Sequence, residues 1–140
     1  MNKYLSILVL FFMMTAATAF ANVPVKVKTV SSQTIESLMT GLESDNYGLK
    51  MSSAYMLGEL SSEEAMFSLM HMLRTSTNEE GRIVAALALY KISSPVGMNI
   101  VKKAVKFDGS ERVKKLCNSF YNQYVKDNRV NDGKIFCTKN

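Results

Sequence analysis

The sequence predicts an all-α fold: a short α-solenoid of three helical hairpins, six helices in all, following a signal peptide. Three observations predict it. From Ser32 onward apolar residues recur at helical spacing, and no stretch of the body alternates as a strand would. Polar breaks with capping chemistry separate the helical segments. The segments also repeat. Leu38-x3-Leu42, Leu69-x3-Leu73 and Ile100-x3-Ala104 step by 31 residues, and KMSSAYMLGEL from Lys50 aligns with RIVAALALYKI from Arg82, a step of 32. A period near 31 built from paired helices is the pattern of hairpins that bury their apolar faces only by stacking.

Taken in order, residues 1–21 form the signal peptide, with Lys3 as a basic start, an apolar run from Leu5 to Met14, and Ala19-Phe20-Ala21 as the small-x-small cleavage pattern. That run is short of the roughly 20 residues that span a bilayer, so it reads as a cleaved leader, cut after Ala21 or Ala19. Residues 22–32 alternate valine with lysine around Pro24 and read as an extended lead-in. Ser32 can cap a first helix carrying Ile35, Leu38, Met39 and Leu42, which Ser44-Asp45 ends. The second helix places Tyr47, Met51, Ala54, Leu57 and Gly58 on one side. Ser61 with Glu64, and Thr77 with Glu80, stand at capping-box spacing and start the third and fourth helices. Ser94-Pro95 puts a cap before proline at the first position of the fifth. Asp108 and Glu111 have box spacing ahead of the sixth, which carries Val113, Leu116, Cys117, Phe120 and Tyr124. The solenoid thus covers residues 33–127, and residues 128–140 form a polar C-terminal tail.

After cleavage the chain has 119 residues, one small domain with a core of its own. Its charge is lopsided: residues 22–100 carry six Lys/Arg against eight Asp/Glu, and residues 101–140 carry ten against four. Such a field favours acidic partners or anionic surfaces at the C-terminal third. Two cysteines remain, Cys117 and Cys137, and in an oxidising compartment they are expected to pair and tether the tail. The loop closed is about 20 residues, worth about 3 kcal/mol in the chain-entropy account.

"SDNYGLKMSSAYMLGEL" and "STNEEGRIVAALALYKI" resemble HEAT repeats of the short, PBS-lyase-like type found in bacteria. Lys50, Ala54, Leu57 and Gly58 fit the pattern in the first copy, and Arg82, Ala85, Ala86 and Leu89 in the second. A third copy, RVKKLCNSFYN from Arg112, departs with Lys114-Lys115 in place of the small pair and reads as a C-terminal cap. The resemblance covers residues 34–126 and implies protein binding without shared catalytic residues; nothing in this chain supports the bilin-lyase association of the family name.

The chain's only histidine lies in EEAMFSLMHMLR, beside three methionines. At about 100° per residue, Met66, Leu69, Met70 and Leu73 form one stripe about 100° wide, the face a solenoid helix buries. His71 and Met72 fall outside it, which argues against a thioether site for a soft metal such as Cu(I). No nucleophile–base set, GxSxG, HExxH, phosphate loop or EF-hand spacing occurs, so the reading is non-enzymatic, with no cofactor and no metal. Paired glutamates at Glu63-Glu64 and Glu79-Glu80 complement helix dipoles.

The expected working surface is the face of the second helices. Ser52, Tyr55 and Glu59 point outward there, with repeat equivalents Val84, Leu87 and Lys91, then Lys114, Cys117 and Tyr121. Tyr55, Glu59, Lys91, Lys114 and Tyr121 make an aromatic and charged strip for an unidentified protein of the cell envelope, reached by periplasmic or secreted export. The alternative is a polyanion or anionic lipid surface held by the basic patch of Lys102, Lys103, Lys106, Arg112 and Lys115 (with Lys114), whose binding must weaken with salt. Nucleic acid is not an expected ligand of an exported chain.

Overall fold

Six α-helices account for nearly all of residues 31–136, which are the residues that the structure, a computed structural model, describes; side chains are placed through residue 128. The predicted signal peptide, the predicted extended lead-in and Cys137 lie outside them. The helices are α1 (Ser32–Glu43), α2 (Tyr47–Glu59), α3 (Met66–Thr75), α4 (Glu79–Ile92), α5 (Pro95–Phe107) and α6 (Glu111–Phe136). No strand occurs among the described residues. Each odd helix pairs with the even one after it, and the even helices α2, α4 and α6 stack side by side with α4 in the middle.

Local chemistry sets the boundaries. Ser31, one residue before the expected cap, opens α1 by accepting a hydrogen bond from the Gln33 N–H at 3.2 Å. Asn46 opens α2 in the same way through the Leu49 N–H at 3.1 Å. Pro95 occupies the first turn of α5 after Ser94, as the sequence predicts.

None of the three predicted capping boxes forms. Ser61 instead ends α2: its backbone turns left-handed at φ 49°, its N–H reaches the Gly58 carbonyl at 2.9 Å, and the Ser62 N–H reaches the Leu57 carbonyl at 3.0 Å. That is a Schellman ending, and a short 3-10 turn, Glu63–Ala65, then leads into α3. Thr77 caps nothing, because the Arg82 Nη1 donates to the carbonyls of Ser76 at 2.9 Å and Thr77 at 3.1 Å and fixes that loop itself. Asp108 is committed to Arg82, so Ser110 takes over at α6 and accepts from the Val113 N–H at 3.4 Å.

Small residues decide how the hairpins stack. Where α2 crosses α4, Gly58 lies so close that a Cβ on it would stand 2.6 Å from the Ala88 Cα. Ala54, Ala85 and Ala86 are fully buried in the same seam. The first helices carry leucine and methionine at their inner positions instead, and α1 and α3 scarcely touch while α3 and α5 touch lightly. Close approach on one side and bulk on the other leave the stack open along its first-helix face.

Burial differs from the sequence reading at several residues: Tyr47, predicted on the inner side of α2, is 45 % exposed, and Met72 and Cys117 are buried. Met72 is buried, since α3 packs mainly on α4 and so buries Leu69, Met72 and Leu73, with Ala65 of the preceding turn, a stripe rotated by about 60° from the predicted one. Met66 and Met70 are only partly covered, and His71 is exposed. Cys117, assigned outward by a repeat step of 30, is fully buried. Burial aligns Ser53, Ala85 and Cys117 at a step of 32, and two residues of register turn a helix by about 200°.

Candidate interaction surfaces

On the second-helix face the structure gathers three of the five predicted residues. Lys91 on α4 meets Glu59 on α2 at 2.8 Å, and its ammonium lies 5.6 Å from the centroid of the Tyr55 ring. The three side chains satisfy one another. Lys91 and the Tyr55 hydroxyl hold the Glu59 carboxyl below its ordinary range, while the hydrogen bond to Glu59 pushes both Tyr55 and Lys91 up. Beside them lies a shallow hollow of about 420 Å³, bounded by Ser61, Tyr90, Ser93 and Asp127. Tyr90 stacks on Phe120 at 6.0 Å between centroids and donates to the Asp127 carboxylate at 3.2 Å, which joins α4 to α6. Burial, and then that carboxylate, push the Tyr90 hydroxyl up.

The other two predicted residues are placed elsewhere. Lys114 pairs with Glu111 at 2.9 Å in the first turn of α6. Tyr121 lies under the Lys102 ammonium, 5.3 Å from its ring centroid, on the side toward α5. The five therefore do not form one strip.

The basic patch divides as well. Arg112 reaches across to Glu80 at 2.8 Å and Glu79 at 3.8 Å, so its charge is matched. Glu80 is held below its usual range by its own backbone N–H first and by Arg112 next. Lys103, Lys106 and Lys115 pair with no described carboxylate. Helix α5 contains no acidic residue at all, and it projects Phe107, which is 82 % exposed.

The open first-helix face holds what the sequence reading missed. A gap of about 720 Å³ separates α1 from α3, with Leu42, Glu43, Tyr47, Lys50, Phe67 and His71 among its walls. Phe67 is 68 % exposed there and Tyr47 about half exposed. A second gap of about 350 Å³ separates α3 from α5, with Leu73, Arg74, Ile100, Lys103, Ala104 and Phe107 around it. Leu42-Glu43 in the first gap and Leu73-Arg74 in the second are 31 residues apart, so the gaps are two copies of one inter-hairpin position. The signal that could have found them is the contrast of small residues in the second helices with large ones in the first.

Cys117 sits in the core, where burial and then the negative Asp108 push its thiol up to about 11, an inert state for a nucleophile. Its predicted partner, Cys137, lies outside the described residues. Helix α6 runs on to Phe136, at about 1.5 Å of rise per residue roughly 28 Å beyond Cys117. A bridge between the two cysteines requires that helix to unwind. No group of three His, Cys, Asp or Glu suited to a metal occurs among the described residues, and no described helix is long and apolar enough to cross a membrane. In comparison with known proteins, no family model matches the chain and no curated protein is significantly similar to it.

Proposed function

We propose that the chain is an exported, non-enzymatic module of HEAT-like hairpins that binds another protein of the cell envelope, through its first-helix face. One observation carries the reading: exposed aromatic side chains, Tyr47, Phe67 and Phe107, stand on the walls of two concave gaps, where burying them against a partner would contribute most. Isolated on a convex surface such residues would mean little. The strip of Tyr55, Glu59 and Lys91 serves this purpose less well, since its charges are already matched to each other. The leader pattern in residues 1–21 supports export, and the 31-residue repeat supports the HEAT-like assignment.

The test is recovery of partners from envelope extract with the mature protein. The expected result is a partner lost with Tyr47→Ala/Phe67→Ala and kept with Tyr55→Ala/Glu59→Lys/Lys91→Glu. The reverse pattern moves the interaction to the second helices. Binding to anionic vesicles that fades with salt and survives both sets of substitutions would favour the lipid alternative, which retains Lys102, Lys103, Lys106 and Lys115 without a described carboxylate partner.

A further inference from the structure

The two gaps occupy equivalent repeat positions and differ in charge, and that difference selects the partner's chemistry. In the first gap the position after the buried leucine is Glu43, and Lys50 also lines it. In the second gap the same position is Arg74, and Lys103 of α5 lines the same opening. Among the described residues that line it, the only carboxylate is Asp108. Its side chain is 7 % exposed and is gripped at both oxygens by Arg82, at 2.8 and 3.0 Å, so it offsets neither cation. The C-terminal ends of α3 and α5 point at the same region, each equivalent to roughly half a negative charge. Against the two cations of Arg74 and Lys103 they leave about one positive charge, with Lys106 adding to it from the last turn of α5. The floor is apolar: Leu73, 2 % exposed, with Ile100 and Ala104 partly covered.

We propose that the second gap seats an acidic segment of a protein partner, one carboxylate between Arg74 and Lys103 and a neighbouring apolar side chain against Leu73, Ile100 and Phe107. The inference rests on the reading of the chain as an interaction module, and it names the site and the partner's chemistry. A concave opening of about 350 Å³ between two helices admits a side chain or two, whereas a flat bilayer surface would meet only the rim and leave the floor unfilled. Guanidinium and ammonium groups over an apolar floor match a carboxylate next to a leucine or phenylalanine, and the attraction is strengthened where the partner displaces water.

The probe is the peptide acetyl-Asp-Leu-Asp-Phe-amide, titrated into the isotope-labelled mature protein and followed by NMR. The expected result is shifts at the Leu73 and Ile100 methyls and the Phe107 ring, with Leu42 in the first gap unmoved. Replacing both aspartates by asparagine should weaken binding about tenfold, and Arg74→Glu/Lys103→Glu should abolish it while the spectrum stays folded. Raising the salt should weaken the aspartate peptide and leave the asparagine peptide unchanged. Equal affinity for the two peptides, shifts centred on Leu42, or no shift at all would overturn the proposal. So would binding to phosphatidylglycerol vesicles that depends on Phe107 and occurs without peptide binding. Loss of the acidic-peptide response while Phe67 still contacts an envelope partner sinks this inference alone, and loss of both sinks the interaction reading beneath it.

Discussion

Ser61 and Ser93 stand 32 residues apart at the ends of α2 and α4, and both adopt left-handed backbone, at φ 49° and 58°. A residue with a Cβ pays about 1 kcal/mol there, and glycine does not. Ser61→Gly should therefore raise stability by about 0.5–1 kcal/mol in urea unfolding, less the weak bond from its hydroxyl to the Lys91 carbonyl at 3.4 Å. Arg82 and Asp108 are the residue pair with most at stake. They tie the α3–α4 loop to the α5–α6 loop, with side chains 15 % and 7 % exposed. Burial alone would push the Asp108 carboxyl up, but Arg82, the Ser110 N–H and Lys114 outweigh it and hold it below its ordinary 3.8. A carboxyl depressed in the folded state stabilises above its unfolded value and loses that contribution as pH falls through its folded value. Asp108→Asn should cost about 2–3 kcal/mol at neutral pH, since it leaves the guanidinium without its charge partner. The gap between variant and parent should narrow below pH of about 4, as measured by thermal melts across an acid series.

At the scale of elements, the second-helix seam and α6 carry the expectations. Gly58 meets the Ala88 backbone, so Gly58→Ala forces α2 away from α4 and should destabilise by about 1–3 kcal/mol, whereas Ser52→Ala on the exposed side of α2 should be nearly neutral. Cys117 lies on the buried face of α6, within the core, so in native protein it should resist alkylation and react only after unfolding, as read by intact mass. Much of this level was legible in the sequence. The six helices follow from apolar spacing, and Pro95 fixed one start outright. The three capping boxes were not legible, because serine, threonine and aspartate at box spacing also suit left-handed endings and tertiary ion pairs. Only the arrival of Gly58 at α4 or Arg82 at Asp108 decides between those uses. The phase of α3 failed for a related reason: spacing gives the width of an apolar stripe, and the neighbour gives its direction.

For the whole molecule, the asymmetry between the crowded second helices and the splayed first helices shapes the proposed function. The sequence revealed the stacking through its 31-residue step, yet it pointed to the second-helix face as the working surface. It could not show that Lys91 would neutralise Glu59 and cover Tyr55, nor that Lys114 and Tyr121 would find other partners. The gaps depend on distances between helices, which composition encodes only through the contrast of alanine and glycine with leucine and methionine. The proposed function turns on which face meets a partner. A photoreactive benzophenone amino acid placed in turn at Phe67, Phe107 and Tyr55 of the full-length chain tests this directly in cells. The account predicts that Phe67 and Phe107 crosslink to the same envelope protein and that Tyr55 does not; adducts from Tyr55 alone, or none from any of the three, would contradict it.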